Sequence, residues 1–329
     1  MKLNSNSCQI GVHRARFILI AMSLGIAILA AVTANAAPLL NPLQIALLKW
    51  TANRTTTFPL GNQPYNAAFD GANMWVVNNA DSNVMKIRAS DGAVQGTFSL
   101  GGPPYYIAFD GANMWIVLAQ TSQVQKVRAS DGAILGTFST GSGAESLAFD
   151  GANMWIANGA SNTVTKIRTT DGAIIGTFTV GTTPVAVAFD GFNIWVANNG
   201  SNNVTKLRAS DGTVLGTFNV GSGPSVGCIL FDGANIWVDN ALSNNVTKLR
   251  ASNGALLGTF NVGTFPDGIA FDGASIWVSN GNSGTVTKLR ANDGANLGSL
   301  PVGNSPGGMA FDGANVWVIN VNSSTANKL

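Results

Sequence analysis

The seven residues "FDGANMW" occur verbatim three times, starting at Phe69, Phe109 and Phe149. Near-copies start at Phe189 ("FDGFNIW"), Phe231 ("FDGANIW"), Phe271 ("FDGASIW") and Phe311 ("FDGANVW"), so successive copies stand 40, 40, 40, 42, 40 and 40 residues apart. A fixed period of that length with strand-like content is the signature of a radial β architecture, in which each unit buries its faces only against its neighbours. Seven copies predict seven blades.

One copy shows the content of a blade. Residues 185–189, 193–197, 204–208 and 213–220 of the fourth copy are short runs rich in β-branched and aromatic residues, closed by turn formers. Asp190-Gly191 and Asp211-Gly212 are hairpin signals, because glycine enters positive φ without steric cost. Four antiparallel strands in forty residues make a propeller blade. The seventh copy stops after its third strand at Leu329, while "TTTFPLG" at 55–61 aligns with the fourth-strand pattern "LGTFNVG". The expected fold is therefore all-β: a seven-bladed propeller of four-stranded antiparallel blades, with the N-terminal strand completing the last blade and removing free edges. Pro59 and Pro301 fall in fourth strands, where an outer edge tolerates proline.

The running pattern "WVANNGSNNVTKLRASDGTVLGTFNVGSGPSVG" resembles the YVTN-type repeat of exported bacterial β-propellers, the YncE-like group, with Trp where that family often has Tyr; it is more distantly similar to NHL-type and virginiamycin B lyase-like propellers. The resemblance spans Thr55 to Leu329 and implies a propeller used for binding. It names no ligand.

Residues 1–36 read as a signal peptide: basic Lys2, Arg14 and Arg16, an apolar run from Phe17 to Val32, then Ala34-Asn35-Ala36 as a cleavage site. Cleavage after Ala36 places the protein in the periplasm or outside the cell, with a lead-in at 37–54 and the propeller at 55–329. No span is expected in the mature chain. Removing the three basic residues leaves fifteen cations against sixteen anions, a net charge of −1. Cys8 and His13 leave with the signal, so Cys228 stands alone and the mature chain has no histidine.

Comparing the copies with one another separates what every blade needs from what one blade adds. Trp75, Trp115, Trp155, Trp195, Trp237, Trp277 and Trp317 recur in the second strand and read as packing between blades. Asp70, Asp110, Asp150, Asp190, Asp232, Asp272 and Asp312 recur in the turn before it and read as structural too. Lys-x-Arg recurs in the third strand of six copies, which predicts pairing with turn aspartates and solvation rather than an anion-binding ring.

Four acids have no counterpart in most copies: Asp81, Glu145, Asp239 and Asp267. All are expected in the two connections that emerge on one face of the disc, making that face variable and acidic. Tyr65, Tyr105 and Tyr106, the only tyrosines, fall after the same connections, with Asn66 beside the first. Tyr65, Asn66, Tyr105, Tyr106, Glu145, Asp239 and Asp267 are the candidate ligand-binding set. The two extra residues of the fifth copy, around Gly227 and Cys228, predict a local bulge.

The expected function is a non-enzymatic exported scaffold presenting this face to a protein, peptide or small ligand, with no cofactor, no metal and no catalytic residues. The alternative is a metal-dependent enzyme like virginiamycin B lyase, whose resemblance implies histidine and glutamate; the mature chain offers no histidine and one glutamate. A carboxylate-only calcium site at Asp239 and Asp267 is chemically allowed but lacks a fixed ligand spacing. Nucleic-acid binding, described for some YncE-like propellers, is disfavoured by the net charge and the acidic face.

Overall fold

In the computed structural model, residues 55–118 and 121–329 are described; the signal and lead-in segments, with Cys8 and His13, lie outside them. Every regular element among the described residues is a strand, and the strands form seven four-stranded antiparallel sheets. The short strand β1 (Thr56–Pro59) pairs with Thr325–Lys328, so that the last blade is built from both ends of the described chain. Blade one follows as β2 (Pro64–Phe69), β3 (Asn73–Asn78), β4 (Asn83–Arg88) and β5 (Val94–Ser99), and the later blades repeat this order. The first strands of neighbouring blades pack against one another around the ring and so line its axis.

The repeated heptapeptide is a hydrogen-bonding unit. Asp70 Oδ1 accepts from the backbone N–H of Ala72 at 2.9 Å and of Asn73 at 2.6 Å, which closes the turn, while Oδ2 accepts from the Trp75 indole N–H at 2.8 Å. The indole bond recurs in all seven blades at 2.7–2.8 Å. Burial raises the carboxyl of Asp70, but the indole and backbone donors outweigh it and the net effect is a lowered pKa; Asp110, Asp190, Asp232, Asp272 and Asp312 behave alike.

Each indole in turn supports a lysine from the adjacent third strand. The seven Lys Nζ atoms stand 4.2–5.5 Å from the Trp ring centroids. Six reach across to the next blade: Lys86 donates to the Ala129 carbonyl, Lys126 to Thr169, Lys166 to Ala209, Lys206 to Ala251, Lys248 to Ala291 and Lys328 to Ala89, all at 2.6–2.7 Å. Lys288 instead stands 3.6 Å from Asp272. Arginine has the other fate. Arg88, Arg128, Arg168, Arg208 and Arg290 close on the aspartate three residues on at 2.8–2.9 Å, half-exposed, where such pairs are worth at most about 1 kcal/mol. The Lys-x-Arg ladder is thus largely occupied within the scaffold, lysine by carbonyls and indoles and five of the six arginines by the turns, Arg250 being the exception.

Packing follows the same blade-to-blade logic. Trp75 and Val77 of blade one form one cluster with Ile107, Met114 and Ile116 of blade two, and Trp317 and Ile319 of blade seven join Ala67, Met74 and Val76 of blade one. The fourth-strand Phe178 lies against Trp155, ring centroids 5.4 Å apart, and is capped by Gly212 of the next blade's hairpin turn. That glycine position is doubly constrained, with φ near +76° and no room for a methyl against the ring.

The glycines of the two hairpins therefore separate strain from packing. Gly151→Ala, in a turn with φ +97° and open space around it, is expected to cost about 1 kcal/mol of backbone strain. Gly172→Ala, at φ +75° with its methyl aimed into Phe138, should add an overpacking penalty and total roughly 2–4 kcal/mol. Urea midpoints of the two variants at unchanged m-value measure the difference; equal losses would mean that Phe138 yields freely.

Candidate functional site

The innermost strands carry a feature that the sequence reading assigned to one blade only. In every blade the pairing of first and second strands shifts register just after its first residue, as between Pro64 and Asn66 or between Pro266 and Gly268. Blade five widens this irregularity, from Pro224 to Ile229, rather than introducing it. The side chain of Cys228 lies outside the described residues. A bulge leaves one residue unpaired and re-aims it. In five blades the residue so freed is Tyr65, Tyr105, Glu145, Val185 or Asp267, and in blade seven Gly307 and Gly308 are both unpaired in this register.

Four of those five are candidate site residues, and they lie in strands, not in connections. Glu145 and Asp267 sit second in Ala144–Phe149 and Pro266–Phe271, and Asp239 is fifth in Asn235–Asn240. Each first strand begins one residue before these positions, at proline in most blades, so the expected loops are shorter than the sequence suggested. Only Asp81 of the four singular acids stays on a connection. It accepts from the backbone and side-chain N–H of Asn62 at 2.7 and 2.8 Å and clamps the entry to blade one.

The structure draws the candidates into one cluster. Tyr65 and Tyr105 meet edge to face with centroids 4.9 Å apart. Burial raises the Tyr105 hydroxyl, and the charges of Glu145, Asp267 and Tyr65 raise it further. Tyr106 is pushed up to about 12 by burial and by the field of Asp239, while the Asn66 amide approaches its hydroxyl and opposes the shift. Asn66, 8% exposed, and Tyr106 are third in their strands, next to the tyrosine pair.

Asp239 is the anomaly of the molecule. The same position holds Val77, Val117, Ala157, Ala197, Ser279 and Ile319 in the other blades, all fully buried or nearly so. Ser279 shows where the position points, since its hydroxyl donates to the Gly307 carbonyl of the following blade at 2.6 Å. Asp239 has zero exposure, and neither carboxyl oxygen has a hydrogen-bond partner. Burial drives its pKa well above the ordinary carboxylate value and the charge of Asp267 adds to this; the N–H groups of Asp239 and Gly268 approach without bonding geometry and offset little. Asp267, partly buried, is raised to about 7 by desolvation, and Glu145 is raised for the same reason. Three carboxyls that resist ionisation thus share one end of the channel with two tyrosine rings. Among the described residues no three His, Cys, Asp or Glu side chains converge as a metal-binding group.

No family model matches the sequence, and no curated protein matches it. Solved structures share its fold. A hydrazine synthase chain of Kuenenia stuttgartiensis is 18% identical, covering 81% of this chain and 95% of that one at a TM-score of 0.71. A streptogramin B lyase is 16% identical over 83% and 96%, also at 0.71. The virginiamycin B lyase from Staphylococcus aureus is 20% identical over 84% and 98%, again at 0.71. The protein is accordingly a seven-bladed propeller of the virginiamycin B lyase-like kind in fold. The expectation of a non-enzymatic scaffold is corrected by these neighbours. Propellers with this blade architecture include two lyases and a synthase.

Asp239→Val, which installs the blade-one residue, should stabilise the protein by about 1–3 kcal/mol at pH 8 by removing an unsatisfied buried polar group. The folded state prefers the neutral acid at both Asp239 and Asp267. Their contribution is therefore most favourable below the unfolded value of 3.8 and is lost as pH rises through about 7. Thermal melts from pH 5 to 8 should fall in the parent and less steeply in Asp239→Val, where Asp267 alone remains; a parallel fall would assign the slope to groups other than Asp239.

Proposed function

We propose that the protein is an exported propeller enzyme in which Asp267, backed by the buried Asp239, carries out proton transfer on a small substrate bearing an ammonium or other cationic group. The reading rests on Asp239, a carboxyl with no exposure and no partner, set beside Asp267 where the other six blades place small or apolar side chains. A group that weakens its own scaffold in this way is supported by function. The likeness to lyase propellers at 16–20% identity concerns the fold and contributes no residue role.

Asp267, titrating near neutrality, is matched to the work of a general base, since half of it is ionised at the operating pH and the proton it gains can be returned. Asp239, held protonated by deeper burial and without exposure, does not touch the substrate; it acts behind Asp267, whose charge it feels, as a positioning group. Tyr65 and Tyr105 offer ring surface to a cation, and Glu145 supplies a third carboxyl facing the same space. Binding a cation draws the acids toward their ionised forms and releases protons; an anion is refused. Proton abstraction, as in elimination or isomerisation, is the reaction class these groups suit.

The Trp-Val-Ala-Asn run at 195–198, with Trp-Ile-Ala-Asn at 155–158 and Trp-Val-Ser-Asn at 277–280 as variants, supports a place among YVTN-type, YncE-like propellers, and the basic, apolar and small-residue sections of residues 1–36 support export with cleavage after Ala36.

Choline and its neutral isostere 3,3-dimethylbutanol separate charge from shape. Calorimetry at pH 8 should show choline binding with proton release, weakening at least tenfold at pH 5 and in Asp267→Asn and Asp239→Asn, while the isostere does not bind. Equal binding of the two, or choline affinity unchanged in both variants, would overturn the cationic site. A pH–rate profile with an inflection near 7 that disappears in Asp267→Asn is the expected signature of turnover.

A further inference from the structure

On the face that carries the hairpin turns, opposite the connections beside the candidate site, two blades depart from the repeat at the same groove. The turn between first and second strands holds alanine at Ala72, Ala112, Ala152, Ala234, Ala274 and Ala314, but phenylalanine at Phe192. The turn between third and fourth strands holds Asp91, Asp131, Asp171, Asp211 and Asp293, but Asn253 in blade five. Neither departure alters the backbone. The Phe192 N–H still donates to Asp190 Oδ1 at 2.9 Å, as alanine does elsewhere, and the Ala255 N–H donates to Asn253 Oδ1 at 3.1 Å, as in the aspartate turns. What changes is what solvent meets: a phenyl ring 80% exposed, and an exposed Arg250 with no carboxylate partner among the described residues where five equivalent arginines have one.

Phe192 and Arg250 line a single cavity of about 630 Å³ between blades four and five, together with Asn193, Phe231, Asn235 and Ser252. The other charges on its wall are already engaged. Asp190 accepts from Trp195 and from two backbone N–H groups, and Lys206 donates to the Ala251 and Ser252 carbonyls. The groove therefore offers one uncommitted cation, one uncommitted aromatic surface and the volume of a small-molecule site.

We infer that this groove binds a small aryl carboxylate, its ring against Phe192 and its carboxylate on the Arg250 guanidinium, independently of the acid–base site at the channel. A planar guanidinium fork matches a carboxylate in bidentate geometry, and the single charge of a carboxylate balances the single uncommitted cation of the groove. The repeat supplies its own control, since the groove between blades three and four has Ala152 and an Arg208 closed by Asp211 at 2.9 Å.

Two-dimensional amide NMR with 2-naphthoate reads the site directly, with 2-naphthylmethanol lacking the charge and acetate lacking the ring. Naphthoate should shift the amides around 190–193 and 250–255, with neither half-probe doing so at equal concentration. Phe192→Ala, Arg250→Gln and Asn253→Asp, the last restoring the carboxylate that silences the other arginines, should each weaken binding about tenfold or more. Ala152→Phe combined with Asp211→Asn should create a second site between blades three and four. Absence of shifts up to about 10 mM naphthoate would overturn the inference, as would binding that Arg250→Gln and Asn253→Asp leave intact.

Discussion

The carboxylate of each "FDG" turn holds the architecture together by binding an indole. Asp70 closes its own turn with one oxygen and fixes the Trp75 ring with the other, and the ring supports Lys86, whose ammonium crosses to the next blade's carbonyl. A local turn, a core side chain and a contact between blades are thereby made by one chain of bonds, repeated around the ring. The neighbouring strands are free to vary only because this connection does not. A half-buried carboxylate with three or four donors is worth far more than its exposed relatives at the Arg–Asp turns, since its alternatives are unsatisfied donors rather than water.

Almost all of this was legible. Seven near-identical heptapeptides counted the blades, and the missing fourth strand of the last copy located β1 as its replacement. The acids were harder. Glu145 and Asp267 were expected on connections, but the first strands already begin at Ala144 and Pro266, which makes both acids the second residue of a strand. Asp239 was misplaced for a different reason: alignment against Val77, Val117 and Ala157 puts it inside a core strand, and its rarity there was read as loop variation. The bulge in every first strand left no mark at all, since register depends on which carbonyls pair and not on composition.

The candidate site was legible only as an address. The candidate residues do meet, but the property that distinguishes them is desolvation, which belongs to the ring and not to any one repeat. An aspartate in a loop is a charge; the same aspartate behind a neighbouring blade is an acid that holds its proton. Burial does this to ordinary carboxyls, and a rigid disc is well suited to keeping them dry.

The join of the ring differs from its other seams. The sheet that closes it uses two strands of four residues, Thr56–Pro59 and Thr325–Lys328, where most others have six, and draws together residues about 270 positions apart. Such a pairing comes late in folding, after the loop-closure entropy of nearly the whole chain has been met. Its four rungs act as a clasp on the circle. The lifetime of the closed disc is then governed less by the blades than by how often that clasp opens, and protection from proteolysis should track the clasp before it tracks the core.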